Sequence, residues 1–403
     1  MITVDPALFL ADLEAKPAAL RDLADRLTTE NPWSFLHTPR RVIFVGMGSS
    51  RYAAEVAARR LRVAGIDAAE YASAEQGPTK DPSAKRNKAE HHQAKHNRAK
   101  RNQAEHNPAT HGQPDHNPSD HSQTEGDAAG PDPAQGGLPS NTLVIAISAT
   151  GKSRETLDAV TDISDFVALT NDATSPLVQR ATHHVDLRAG PEKGGVACRS
   201  FQHTQLLLDA LINHLTGTPA ARSGPQSGTG TRLEPGTERR TSDNATESST
   251  GSLARRTAEA TEDLLERRDA WLPACSELLA GGDGIFPMAP VERLSSALQS
   301  ALMFREGPRV PADGCETGDW SHVDVYLTKT LRYRALLFPG SRYDDQALEW
   351  LHTRKSTVVA VGGEVPGAAL AVRFRHDDDL RVRLQTETLI AELVAADWWL
   401  RAS

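Results

Sequence analysis

Cysteine is scarce in this chain: Cys198, Cys275 and Cys315 are the only three in 403 residues, and they lie far apart. That excludes a disulfide framework and the paired spacing of a zinc site, and it predicts a reducing, cytoplasmic compartment. No apolar run approaches the roughly 20 residues needed to cross a bilayer. The opening MITVDPALFL lacks the basic stretch and apolar core of a secretory signal. Positive charge is not in excess: 45 Lys and Arg face 53 Asp and Glu, a net charge of −8. Nothing here argues for nucleic acid or a membrane as partner. Hydrophobic residues make up 38%, low for a length that suggests two domains. Two polar stretches account for the deficit.

The first polar stretch spans about 76–140. It holds a degenerate five-residue repeat that begins Ala84-Lys85-Arg86-Asn87-Lys88 and continues AEHHQ, AKHNR, AKRNQ and AEHNP. His91, His96, His106, His111, His116 and His121 keep the period. With almost nothing apolar to bury, it reads as a disordered insert. Weak metal capture by clustered histidines is the other reading, but no metal site or cofactor is assigned. The second stretch, 217–256, is rich in Ser, Thr, Gly and Arg and reads as a disordered linker.

What is present is a pair of strand-to-helix turns. Leu143 to Ile147 is an apolar run that ends in Ser148, Thr150, Gly151 and Ser153, before a helical pattern. Runs of this length read as buried parallel strands. Hydroxyls and a glycine ahead of a helix start make an anion cradle, and phosphate is the natural guest. A nucleotide P-loop would need a glycine five residues before Gly151, where Ala146 stands. An ordinary turn capped by Ser and Thr is the plain alternative. The second turn follows Arg41 to Val45 with Gly46, Gly48, Ser49 and Ser50, then a helix over Tyr52 to Val63. It is not a dinucleotide fingerprint, because Arg51 stands where the third glycine belongs. Two such units in one sheet would line a crevice at its carboxyl edge.

Beyond the linker, a second domain is expected over 257–403. A helix over Thr257 to Ala280 is predicted to kink or split at Pro273. A strand over Gly284 to Met288 follows, then a helix over Val291 to Glu306. Strands over Tyr333 to Phe338 and Ser356 to Val361 come next, and a helix over Glu387 to Leu400 closes the chain. Two residues here are chemical candidates. Glu306 sits in the last turn of its helix, where the dipole disfavours a carboxylate and raises its pKa, as suits a base. His322 lies in a Gly-, Asp- and Pro-rich loop over 308–324, where functional residues are often found, and an imidazole can both donate and accept a proton. The plain readings are a solvated helix-end acid and a surface-loop histidine.

Gly46-Met47-Gly48-Ser49-Ser50 together with Ile147-Ser148-Ala149-Thr150-Gly151 resembles the SIS (sugar isomerase) phosphosugar-binding family. The resemblance extends to the isomerase half of the glutamine-dependent glucosamine-6-phosphate synthases. Lys16-Pro17-Ala18-Ala19-Leu20 in a lead helix within 1–40, Ser73-Ala74-Glu75, and Gly195-Val196-Ala197 with Thr204-Gln205-Leu206 carry it further. It implies an α/β fold of two tandem SIS domains, each a parallel sheet flanked by helices in a flavodoxin- or Rossmann-like three-layer sandwich. The first domain, 41–216, would hold the phosphosugar. Phosphate would fall to Ser50, Ser148, Thr150, Gly151 and Ser153, and the sugar to Ser49 and the backbone around Val196. Glu306 would move a proton between C1 and C2 of the open sugar. His322 would open the ring, reaching across from a partner subunit in a homodimer with a shared active site.

The departures are equally specific. The chain begins Met1-Ile2-Thr3 without the family's glutaminase domain, so it is expected not to draw ammonia from glutamine by itself. It stops at Trp398-Trp399-Leu400-Arg401-Ala402-Ser403 without the Schiff-base lysine of the synthases. Lys152 replaces an acidic residue, Ala149 a glutamine, and Val323-Asp324 a Gly-Pro pair. The expectation is a sugar-phosphate or aminosugar-phosphate isomerase, with deamination or deglycation as a possible extension. The alternative is a non-catalytic phosphosugar sensor or scaffold with a degenerate site. A DNA-binding regulator is disfavoured, because no helix-turn-helix precedes the sugar domain.

Overall fold

A computed structural model describes residues 4–72, 138–217 and 249–403. The repeat-bearing insert, Ser73-Ala74-Glu75 and most of the expected linker lie outside the described residues. Two helices open the chain, α1 (Pro6–Glu14) and α2 (Lys16–Thr29). The single lead helix expected over 1–40 is therefore two. The chain breaks at Ala15, and Pro17 starts the second helix, where its missing N–H costs nothing.

Then follow β1 (Arg41–Gly46), α3 (Ser49–Val63), β2 (Asp67–Tyr71), β3 (Thr142–Ile147), α4 (Arg154–Ala159), β4 (Val167–Thr170), α5 (Pro176–Arg180), β5 (His183–Asp186) and α6 (Arg199–Thr216). The second half comprises α7 (Thr250–Glu266), α8 (Arg268–Leu279), β6 (Phe286–Ala289), α9 (Leu294–Glu306), β7 (Cys315–Glu316) and α10 (Thr317–Trp320). It ends with β8 (Arg334–Leu337), α11 (Asp344–Thr353), β9 (Thr357–Val361), β10 (Leu370–Val372), α12 (Leu380–Thr386) and α13 (Thr388–Ala402).

The strands form two parallel five-stranded sheets, ordered β2-β1-β3-β4-β5 and β10-β9-β8-β6-β7. Successive side chains on a strand point to opposite faces, and both faces are covered here. Val42, Phe44, Ile145 and Ile147 join one core, while Ile43, Val45, Val144 and Ala146 join another. The second sheet does the same: Leu336, Val359 and Val361 enter the core shared with the first sheet, and Met288, Ala335, Leu337 and Val358 pack on the far side. This is the tandem α/β sandwich expected. The two sheets repeat one topology, with β6, β7 and β8 in the places of β1, β2 and β3.

Two expectations need correction. Residues 250–256 belong to α7, not to a disordered linker. Ser249 caps that helix, its side chain accepting from Ser252 N at 3.1 Å. Leu253 and Ala254 are fully buried, and Gly251 lies so close to α2 that a Cβ there would fall 2.6 Å from Thr28 Oγ1. The expected break at Pro273 lies instead at Arg267, and Pro273 sits inside α8. The halves are also clamped by charge: Asp209 on α6 is buried and accepts from Arg60 at 2.7 Å and Arg381 at 2.8 Å.

Candidate active site

β1 and β3 are neighbours with Gly46 opposite Ile147. The turns that follow them therefore emerge side by side at the carboxyl edge of the first sheet. β2 lies on one side of this pair and β4 on the other. That makes it the point where the winding reverses, where open α/β sheets hold ligands.

In the second turn Ser148 is buried and its Oγ accepts from Gly151 N at 3.1 Å. Gly151 has φ +63°, and a Cβ there would meet Ser175 Oγ at 2.1 Å. Gly151 also accepts from Leu177 N through its carbonyl. It thus fixes the turn, and its own N–H is spent on Ser148. Thr150 Oγ1 accepts from Lys152 N at 3.3 Å. Ser153 caps α4 without a side-chain bond to the helix; its hydroxyl lies 3.2 Å from Glu155 and 3.2 Å from Thr156. Lys152 pairs with Asp172 at 3.1 Å. The Thr174 hydroxyl and N–H, then Lys152, hold the Asp172 carboxyl down to about 2. Lys152 therefore ties the turn to the end of β4.

In the first turn Gly48 has φ +50° and precedes Ser49, which is buried, and Ser50, which is half-buried. A Cβ on Gly48 would meet Leu302 Cδ2 at 3.9 Å. Leu302 lies one helical turn before Glu306, so both share a face of α9. On the same helix Gln299 donates to Ala197 O at 3.0 Å. Thus α9 reaches both the Gly48 turn and the Gly195-Val196-Ala197 segment, and its last residue, Glu306, lies one helical turn beyond Leu302 on the same face. The Val196 side chain is buried. Glu306 is exposed and has no hydrogen-bond or ion-pair partner among the described residues. The protein mass around it still removes enough water to raise its pKa above the usual carboxylate value, with Arg305 opposing.

His322 is not part of this grouping within one chain. The β6–α9–β7 unit joins parallel strands, so α9 returns to the amino edge of the second sheet. His322 follows β7 and α10 at the carboxyl edge, exposed and with no partner for its ring among the described residues. Glu306 and His322 occupy opposite edges of that sheet.

Glu192 follows no sequence pattern that marks it. Its carboxylate accepts from Cys198 N, Arg199 N and Ser200 N at 2.6, 2.7 and 3.2 Å, and from the Ser200 hydroxyl at 2.6 Å, closing the start of α6. The partners stand six to eight residues away, outside any capping-box spacing. The corresponding crevice of the second sheet is filled from within. Arg293, from the β6 turn, is buried and bonds to Glu387 and to the carbonyls of Phe338 and Pro339. Asp344 accepts from Gly340 N at 2.6 Å and Ser341 N at 3.0 Å, its carboxylate occupying the turn after β8.

With this arrangement in view, residues 137–214 match the profile of the SIS domain. The chain carries a SIS domain. The matched segment runs from just before β3 almost to the end of α6, and so contains the Ser148–Ser153 turn and the Gly195-Val196-Ala197 segment of the SIS fold. No curated protein sequence matches the chain. Solved structures resemble it over nearly its whole length. Tagatose-6-phosphate ketose/aldose isomerase from Escherichia coli has a TM-score of 0.62 at 13% identity, covering 100% of this chain and 96% of that one. The C-terminal domain of glucosamine-fructose-6-phosphate aminotransferase from Francisella tularensis gives 0.61 at 12%, covering 98% and 95%. Glucosamine-6-phosphate deaminase from Thermotoga maritima gives 0.58 at 14%, covering 98% and 95%. At such identity the likeness concerns fold.

Proposed function

We propose that this chain is a phosphosugar isomerase acting on a sugar phosphate or aminosugar phosphate. The observation that carries the reading is the placement of Glu306. A carboxylate with a raised pKa and no partner among the described residues stands one helical turn beyond Leu302, which faces the Gly48 turn, next to a hydroxyl-rich turn suited to phosphate. In this reading Ser50, Ser148, Thr150 and Ser153 hold the phosphate, with Gly151 shaping their turn. Ser49 and the backbone at Val196 face the sugar. An aldose–ketose shift needs an acyclic carbonyl and a base for the proton on carbon. Glu306 takes the proton from C2 or C1 and returns it to the other carbon, while the electron pair passes through an enediol or enolamine. His322 opens the ring. Since His322 stands at the far edge of the second sheet, it serves the site of a second copy, in a homodimer. On an aminosugar phosphate the same proton shift turns the amine into an imine, which water then hydrolyses to a carbonyl with release of ammonia or the amine, so deamination or deglycation uses the same base. The names of the three similar structures, an isomerase, an aminotransferase and a deaminase, support this substrate class.

The test is deuterium incorporation by NMR in D2O with fructose 6-phosphate, glucose 6-phosphate, glucosamine 6-phosphate and fructosamine 6-phosphate. Label at C1 or C2 that disappears in Glu306→Gln is the expected result. Ligand line-broadening without exchange identifies a phosphosugar sensor instead.

A further inference from the structure

Arg51 is the third residue of α3, directly after Ser49 and Ser50. It is half-buried, and its Nε is shut off from water without a hydrogen-bond partner among the described residues. Among the described residues every other buried or half-buried arginine has an ion pair or a hydrogen bond. Arg60 and Arg381 hold Asp209, Arg188 holds Asp22, Arg199 holds Asp12, and Arg293 holds Glu387. Arg51 has neither.

Its position carries a second cost. A cation in the first turn of a 15-residue helix opposes the dipole, and no acidic residue in that turn offsets it. A partly desolvated guanidinium without an acceptor is unfavourable as well. Residues that break local rules in this way concentrate where a ligand supplies what is missing. The start of α3 is packed onto the end of β1: a Cβ on Gly46 would lie 3.0 Å from Ser50 Cβ and 3.4 Å from Arg51 N, so Arg51 follows directly on the turn proposed to hold the phosphate. Lys152, a cation of the neighbouring turn, is already engaged by Asp172.

We propose that Arg51 supplies the positive charge that binds the ligand's phosphate, and that its guanidinium stays unpaired until ligand arrives. This rests on the phosphosugar reading of the site. It makes the dianion of a phosphate monoester the preferred form, because a planar guanidinium pairs with two oxygens at once.

The test is calorimetric titration of the full chain, wild type, Arg51→Gln, Arg51→Lys and Thr150→Ala, with the four sugar phosphates named above. Arg51→Gln is expected to bind about 10- to 100-fold more weakly, with Arg51→Lys between it and wild type. Its melting temperature stays at or above the wild-type value, since no native contact is lost. Wild-type affinity should rise as pH passes about 6, where the second phosphate proton leaves, and Arg51→Gln should flatten that rise. Unchanged affinity in Arg51→Gln, with Thr150→Ala impaired, overturns the role of Arg51 and leaves the phosphosugar reading intact. A lowered melting temperature with no recovery in Arg51→Lys also overturns it, as a structural residue would behave so. Failure of the wild type to bind any of the four removes both.

Discussion

Two residues show how a side chain, or its absence, sets this site. Glu306 has its pKa raised by desolvation more than Arg305 lowers it. As the proposed base it must be ionised, so activity is expected to fall as pH drops through its raised pKa. We expect the acid limb of a kcat/KM profile to lie above the ordinary glutamate value of about 4.3. A limb at or below that value would detach the chemistry from Glu306. Gly151 does the opposite work, by having nothing where a Cβ would strike Ser175. Gly151→Ala combines that clash with a left-handed backbone, and should cost roughly 2 kcal/mol. A lowered midpoint in urea unfolding, with phosphosugar affinity lost, would report it; an unchanged midpoint would refute the constraint.

At the level of single elements, α6 depends on Glu192. Its carboxylate satisfies three N–H groups that the helix cannot satisfy itself. Glu192→Ala should destabilise the chain by about 2 kcal/mol, read as a lower midpoint in chemical denaturation. It should also loosen the Gly195-Val196-Ala197 segment that precedes α6, read as faster amide exchange there. How far these elements were legible depended on the range of their causes. The strands β1 and β3, the hydroxyl turns and α9 follow from local apolar runs and period, and sequence located them. The start of α7 at Thr250 did not show, because its composition is polar and its support comes from α2, more than two hundred residues earlier. The Glu192 cap escaped for a similar reason, since a carboxylate reaching six residues ahead follows no local pattern. Arg51 was visible only as a glycine that was missing, and its lack of a partner is a fact of three dimensions.

For the whole molecule, the separation of Glu306 and His322 across the second sheet decides what one chain can do. If the proposed chemistry needs both, Glu306→Gln and His322→Ala should each be inactive alone. Mixed in equal amounts after exchange of subunits, they should recover about a quarter of wild-type activity, because half the dimers are then mixed and each holds one intact site. No recovery would place both functions within one chain or dispense with one of them. The closed crevice of the second sheet has a different consequence. Its topology repeats that of the first, so the two halves read as copies, one open and one filled by Arg293, Glu387 and Asp344. Reopening the filled copy one substitution at a time would strand a buried charge, at roughly 3–5 kcal/mol for a single lost partner. That is a large share of a domain's stability. The filling of the second crevice therefore works as an evolutionary ratchet: simple drift can keep it shut but has no cheap first step by which to open it.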